Sequence, residues 1–79
     1  MFYVYVLQSL VDKTLYIGMT NNLKRRISQH NVGKVRSTKA KKPFKLIYQE
    51  SFNSRIEARE REKYYKTGFG REQLKTTFF

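Results

Sequence analysis

Residues 2 to 8, FYVYVLQ, alternate β-branched and aromatic side chains and predict a strand with Phe2, Val4 and Val6 on one face and Tyr3, Tyr5 and Leu7 on the other. Residues 14 to 18, TLYIG, predict a second strand, and the short SLVDK between the two predicts a hairpin. Because side chains alternate with a period of two, a two- or four-residue loop puts Tyr5 and Tyr16 on the same sheet face. An added bulge would separate them. Helical periodicity takes over in LKRRISQHN, residues 23 to 31, where Thr20, Asn21 and Asn22 are all competent N-caps and Gly33 follows the end. At about 100° per residue, Leu23, Arg26, Ile27 and His30 share one face, while Lys24, Arg25, Ser28 and Gln29 point elsewhere. The apolar stripe therefore carries an arginine and a histidine.

KLIYQESF, residues 45 to 52, predicts a third strand, and Ser54 with Glu57 forms a capping box opening a second helix that runs to about Lys66. On that helix Ala58, Glu62 and Tyr65 share a face at i, i+4 and i+7. After a break at Gly68-Phe69-Gly70, REQLKTTFF predicts a short closing helix whose Leu74, Phe78 and Phe79 cover a hydrophobic edge. The order is β-β-α-β-α-α, an α+β fold. At 79 residues the chain has room for one domain, 1–79, with a small core.

Composition narrows the function. Lys and Arg number 17 against 6 Asp and Glu, a formal charge of +11, which goes beyond what solubility needs and points to a polyanion such as nucleic acid. Cysteine is absent, which excludes thiolate zinc sites and redox chemistry and fits a reducing cytoplasm. No apolar run approaches the roughly 18 residues of a spanning helix, and the N-terminus has neither a basic leader nor a small-residue cleavage site, so a membrane partner is not expected. The segment between the first helix and the third strand, VGKVRSTKAKKPF, is loop-like and contributes Lys34, Arg36, Lys39, Lys41 and Lys42. It reads equally as a phosphate contact or as a solvated basic loop.

The acids are Asp12, Glu50, Glu57, Glu60, Glu62 and Glu72, and only Glu62 combines a carboxylate with an inward-looking helix face. A site with two metals needs several converging carboxylates, so one divalent ion, Mg²⁺ or Mn²⁺, held by Glu62, waters and substrate oxygens is the better match. Glu62 also has the spacing for an ion pair with Lys66. Arg26 would meet a phosphate or snorkel to solvent. His30 could accept a proton, orient a water or pack structurally.

Tyr5 and Tyr16 lie eleven apart, Arg26 ten beyond Tyr16, and His30 four beyond that. With Tyr3-Val4-Tyr5, Tyr16-Ile17-Gly18, the LYIGMTNNLKRRISQHN block and the two downstream blocks EAREREK and KTGFGREQLK, the chain closely resembles the GIY-YIG nuclease superfamily, in particular its small stand-alone bacterial members. The resemblance spans nearly the whole chain. It implies a three-stranded antiparallel sheet flanked by helices, in agreement with the element order read independently. It implies a metal-dependent endonuclease acting on phosphodiester bonds, DNA ahead of RNA, with no small-molecule cofactor. The alternative is a non-catalytic nucleic-acid-binding domain on the same fold. Tyr5 and Tyr16 match the paired motif tyrosines, one of them a water activator; Arg26 matches the phosphoryl-stabilising arginine, Glu62 the metal ligand, and His30 a position near the scissile phosphate. Two departures stand out: Tyr3 replaces the first motif glycine, and no Asn follows Glu62, where several relatives carry one. A tyrosine base faces an energetic obstacle, since an ordinary pKa near 10 leaves about one phenol in 10³ ionised at pH 7, a deficit of roughly 4 kcal/mol. Either nearby cations lower that pKa, or the phenol relays its proton to His30.

Overall fold

The computed structural model describes residues 1 to 78, with side chains through Thr77. Three strands, β1 (Phe2–Ser9), β2 (Leu15–Thr20) and β3 (Phe44–Phe52), form an antiparallel sheet in the order β2-β1-β3. Helix α1 (Leu23–Asn31) follows the hairpin, and α2 (Arg55–Lys66) and α3 (Gly68–Phe78) follow the sheet. The expected α+β order is what forms. One element was not expected, a single 3-10 turn at Lys39–Lys41 within the basic loop.

β1 occupies the centre, and its four consecutive residues Val4, Tyr5, Val6 and Leu7 are all buried. Alternation sends Val4 and Val6 to a layer with Ile17, Ala58, Tyr65 and Leu74, beneath α2 and α3. Tyr5 and Leu7 go to the opposite layer with Phe44, beneath Leu23 and Ile27 of α1. Burying a Val or Leu side chain contributes roughly 1.5–3 kcal/mol, so β1 anchors both layers. The hairpin closes where the Ser9 N–H donates to the Thr14 carbonyl at 2.9 Å, a connection of four residues. That register sets Tyr5 opposite Gly18 and Leu7 opposite Tyr16, so Tyr5 and Tyr16 do share a face. A bulge exists, but it lies in the pairing with β3, between Val6 and Leu7, and leaves the hairpin parity intact.

The helix ends follow their capping residues. The Asn22 side chain accepts from the Arg25 N–H at the start of α1, and Ser54 accepts from the Glu57 N–H at the start of α2. α2 is tied to β3 by Glu50, whose Oε1 accepts from Tyr65 Oη at 2.7 Å and from Arg61 Nε at 3.1 Å. The Arg61 guanidinium in turn lies over the Tyr65 ring, 4.7 Å from its centroid.

The third helix begins earlier than expected, at Gly68 and not after Gly70. Gly70 is a packing glycine: a Cβ there would stand 2.1 Å from the Tyr64 carbonyl oxygen, so its bareness lets α3 turn tightly against the end of α2. Leu74 is buried as expected. The Phe78 side chain and Phe79 lie outside the described residues. Among the described residues no helix is long and apolar enough to cross a membrane.

Because the obstruction at Gly70 is backbone, Gly70→Ala is expected to destabilise the fold by about 1–3 kcal/mol. Thermal unfolding would show the midpoint lowered by roughly 4–8 °C for each kcal/mol. An unchanged midpoint would contradict the packing role of this glycine.

Candidate active site

The face of the sheet under α1 brings the chemical residues together. Tyr5 reaches across its cross-strand partner Gly18, where an added Cβ would fall 2.2 Å from the phenol oxygen. Gly18 therefore keeps open the space that the Tyr5 hydroxyl occupies. The phenol meets His30 Nε2 at 3.1 Å. His30 projects from the last turn of α1 and is fully buried, with the rings of Tyr5, Tyr16 and Phe44 edge-on around it at centroid distances of 5.9, 5.6 and 5.8 Å. Its other nitrogen, Nδ1, meets Thr38 Oγ1 at 2.8 Å.

Tyr16 is half-buried on the same face, and its hydroxyl is hydrogen-bonded to Ser37 Oγ. Arg26, one turn before His30, is half-buried, near enough for its charge to act on the Tyr5 hydroxyl, while Nη1 donates to Gln29 Oε1 at 3.2 Å. Arg25 and Gln29, which periodicity directed away, line with Arg26 and Arg55 a hollow of about 300 Å³ at the open end of the sheet. No acidic residue lines it.

Glu62 approaches from α2, on the far side of the sheet, and is near enough to Tyr5 for its charge to act on the phenol. Its side chain is 17% exposed, and Lys66 Nζ donates to its Oε2 at 3.1 Å, the ion pair that the i, i+4 spacing allows. The second oxygen, Oε1, makes no hydrogen bond among the described residues. One partly screened carboxylate with an oxygen to spare suits a hard cation that keeps most of its ligands as water and substrate oxygen. Among the described residues no group of three or more acids, His or Cys gathers as a ready-made metal cage.

The five basic residues of the loop, Lys34, Arg36, Lys39, Lys41 and Lys42, are all exposed. They are not equivalent. Lys41 is paired with Asp12 at 2.9 Å, which holds that carboxyl well below the usual range. The loop is also pinned from beneath, since buried Ser9 donates to the Lys41 carbonyl at 2.7 Å and Asn31 Oδ1 accepts from the Phe44 N–H at 2.7 Å. Sequence reading missed Ser37 and Thr38, the loop hydroxyls that meet Tyr16 and His30. Nothing in the local pattern marks them, because the contacts run across a loop without periodicity.

Electrostatics corrects one expectation. Burial pushes the Tyr5 phenol up from its ordinary value, and the cationic Arg26 beside it only partly offsets that. The Arg26 charge therefore does not by itself turn Tyr5 into a standing phenolate. His30 moves the other way: burial, and then the Arg26 charge, lower its affinity for a second proton. The pair is poised as neutral phenol and neutral imidazole.

Comparison with known proteins fits this geometry. The family model of the GIY-YIG catalytic domain matches residues 1–75. The chain belongs to the GIY-YIG catalytic domain family. Its GIY-YIG relatives include a UPF0213 protein of Streptococcus agalactiae, 48% identical over 65 residues that make up 81% of this chain and 73% of that protein. A UPF0213 protein of Staphylococcus haemolyticus is 46% identical over 72 residues, 90% of this chain and 85% of that one. The solution NMR structure of a UPF0213 protein from Bacillus halodurans shares the fold with a TM-score of 0.59 and 34% identity, over 99% of this chain and 86% of that chain. GIY-YIG domains are nuclease domains, whose substrates are nucleic acids and which generally use divalent metal ions.

The buried imidazole has a measurable consequence. Unfolding restores its ordinary value of 6.5, so below that pH the unfolded chain takes up a proton that folded His30 refuses. Stability is then fully present above 6.5 and declines as the pH falls through 6.5 toward the lower folded value. Urea unfolding should show the midpoint begin to fall as the pH drops through 6.5. A midpoint constant through it would contradict a neutral, buried His30.

Proposed function

We propose that residues 1–79 form a single-domain, metal-dependent endonuclease that hydrolyses phosphodiester bonds in nucleic acid, DNA ahead of RNA. The observation that carries this reading is the Tyr5–His30 hydrogen bond, with Arg26 and Glu62 near enough for their charges to act on the same phenol. Each group has a task. Arg26 neutralises charge growing on the nonbridging oxygens of the scissile phosphate. Glu62 holds one Mg²⁺ or Mn²⁺, which when bound supplies further charge neutralisation at the phosphate.

Water activation falls to Tyr5 with His30. A free Tyr5 phenolate would cost more than the roughly 4 kcal/mol of an ordinary tyrosine, because burial raises its pKa. A coupled transfer avoids that species. The attacking water gives a proton to the Tyr5 oxygen as the phenol's own proton passes to His30 Nε2, and the water oxygen bonds to phosphorus as the leaving oxygen departs. Tyr16, held by Ser37, borders the same space and orients the water or the phosphate. The departing oxygen, opposite the attacking water, takes up a proton from solvent, and the imidazolium returns its proton to solvent through the phenol after product leaves.

The polyanion track runs through the hollow of Arg25, Arg26 and Arg55 and over the exposed Lys34, Arg36, Lys39 and Lys42. Lys41 contributes less, being already paired with Asp12. The absence of a membrane partner and a cytoplasmic location accord with the composition.

Two measurements test the proposal. Glu62→Ala and Arg26→Ala should each lower plasmid or branched-DNA cleavage by on the order of 10²-fold or more, with binding retained. Cleavage at the wild-type rate by purified Glu62→Ala would overturn the assignment. Binding should also weaken steeply with salt, with a log-log slope of about −0.9 per phosphate neutralised on duplex DNA. Salt-sensitive binding with no metal-dependent cleavage of DNA or RNA would leave a nucleic-acid-binding domain on a nuclease fold.

A further inference from the structure

We propose that Thr38 is a positioning residue that fixes the tautomer of His30, holding Nε2 as a bare acceptor in front of the Tyr5 hydroxyl. The inference rests on the roles given to Tyr5 and His30 above. It starts from hydrogen-bond bookkeeping in a dry place: His30 is 0% exposed and Thr38 1%, and no buried side-chain nitrogen or oxygen among the described residues lacks a partner. At His30 and Thr38, burial leaves bulk water no access with which to absorb a mismatch.

The direction of each bond follows from what each group can do. The one hydrogen bond of the Tyr5 oxygen among the described residues is with His30 Nε2 at 3.1 Å, and Arg26, whose charge acts on the phenol, carries donors only. The phenol proton must therefore point at Nε2, which must be unprotonated. A neutral imidazole carries its one proton on the other nitrogen, so Nδ1–H donates to Thr38 Oγ1 at 2.8 Å. The threonine hydroxyl passes its own proton to the Val35 carbonyl at 3.3 Å, an oxygen that also receives the Thr38 N–H at 3.1 Å and can only accept. The chain reads in one direction, Tyr5 to His30 to Thr38 to Val35.

The opposite tautomer fails. With the proton on Nε2, the Tyr5 hydroxyl would meet a donor and keep a buried proton without an acceptor among the described residues. Thr38 would have to turn its proton to Nδ1 and abandon Val35. The local structure shows that the hydroxyl is committed to this task, because Thr38 stands at the N-cap of the 3-10 turn yet makes no side-chain cap bond. A threonine in that place ordinarily caps. Here its oxygen serves the histidine, and the basic loop carries part of the site's support.

The test compares wild type, Thr38→Ser and Thr38→Val. Nitrogen-15 NMR of the His30 imidazole in the free protein reports which ring nitrogen is protonated, with no substrate or metal added, and cleavage is measured in parallel. The expected result is an Nδ1–H tautomer in wild type, retained by Thr38→Ser with its activity. Thr38→Val should shift the population toward Nε2–H and lose about 10–100-fold in cleavage with nucleic-acid affinity unchanged. An Nε2–H tautomer in wild type would overturn the inference, and so would a folded Thr38→Val that keeps Nδ1–H. Should Thr38→Val fail to fold, the wild-type spectrum and Thr38→Ser still decide the matter. An inactive wild type with the Nδ1–H tautomer would sink the nuclease reading and leave the tautomer assignment standing.

Discussion

One buried hydrogen bond, between the Tyr5 hydroxyl and His30 Nε2, organises the molecule. To form it, the phenol must cross the neighbouring strand, so residue 18 has to be glycine. The imidazole must arrive from the last turn of a helix docked by Leu23 and Ile27, and its far nitrogen must be satisfied by a loop folded back beneath it. Failure of any one of these would leave a polar atom stranded in a layer built of Leu7 and Phe44. The bond is thus a condition on the hairpin, the first helix and the loop together.

The sheet separates two kinds of work. Beneath α2 and α3 its side chains are aliphatic or tied into the Glu50, Arg61 and Tyr65 cluster, which fixes the helix that carries Glu62. Beneath α1 the layer is aromatic and holds the histidine. Among the described residues three acids stand in ion pairs, Asp12 with Lys41, Glu50 with Arg61 and Glu62 with Lys66. The arginines at the open end of the sheet meet no acid in their hollow, so much of the formal charge of +11 stays available to an outside anion.

What could be read from the chain was whatever periodicity controls. The alternation of β1 and the parity of the hairpin placed Tyr5 and Tyr16 on one face, and the helical arc placed Arg26 and His30 together. Ala58, Glu62 and Tyr65 on one face of α2 came from the same rule. Sequence reading missed the central position of β1, although Phe2 through Leu7 form a continuous apolar and aromatic run of the kind a strand covered on both faces shows. Gly70 looked like punctuation, and only the nearness of the Tyr64 carbonyl shows it to be a packing residue. Thr38 and Ser37 sit in a run of lysines whose charge suggested solvent, and their partners lie 8 and 21 residues away in sequence. Contacts of that kind are set by tertiary folding and leave no repeat to detect.

The ring of aromatic edges around His30 has a kinetic meaning. An imidazole sealed from bulk water, with Nδ1 tied to a threonine, has a single doorway, and that doorway is the phenol. Buffer molecules cannot reach it, so under the proposed mechanism whatever it accepts leaves by the path of entry. In the proposed mechanism, charging and discharging of the base are then two strokes through one oxygen, with the side chain of Tyr5 as a valve between the reacting water and the protein interior.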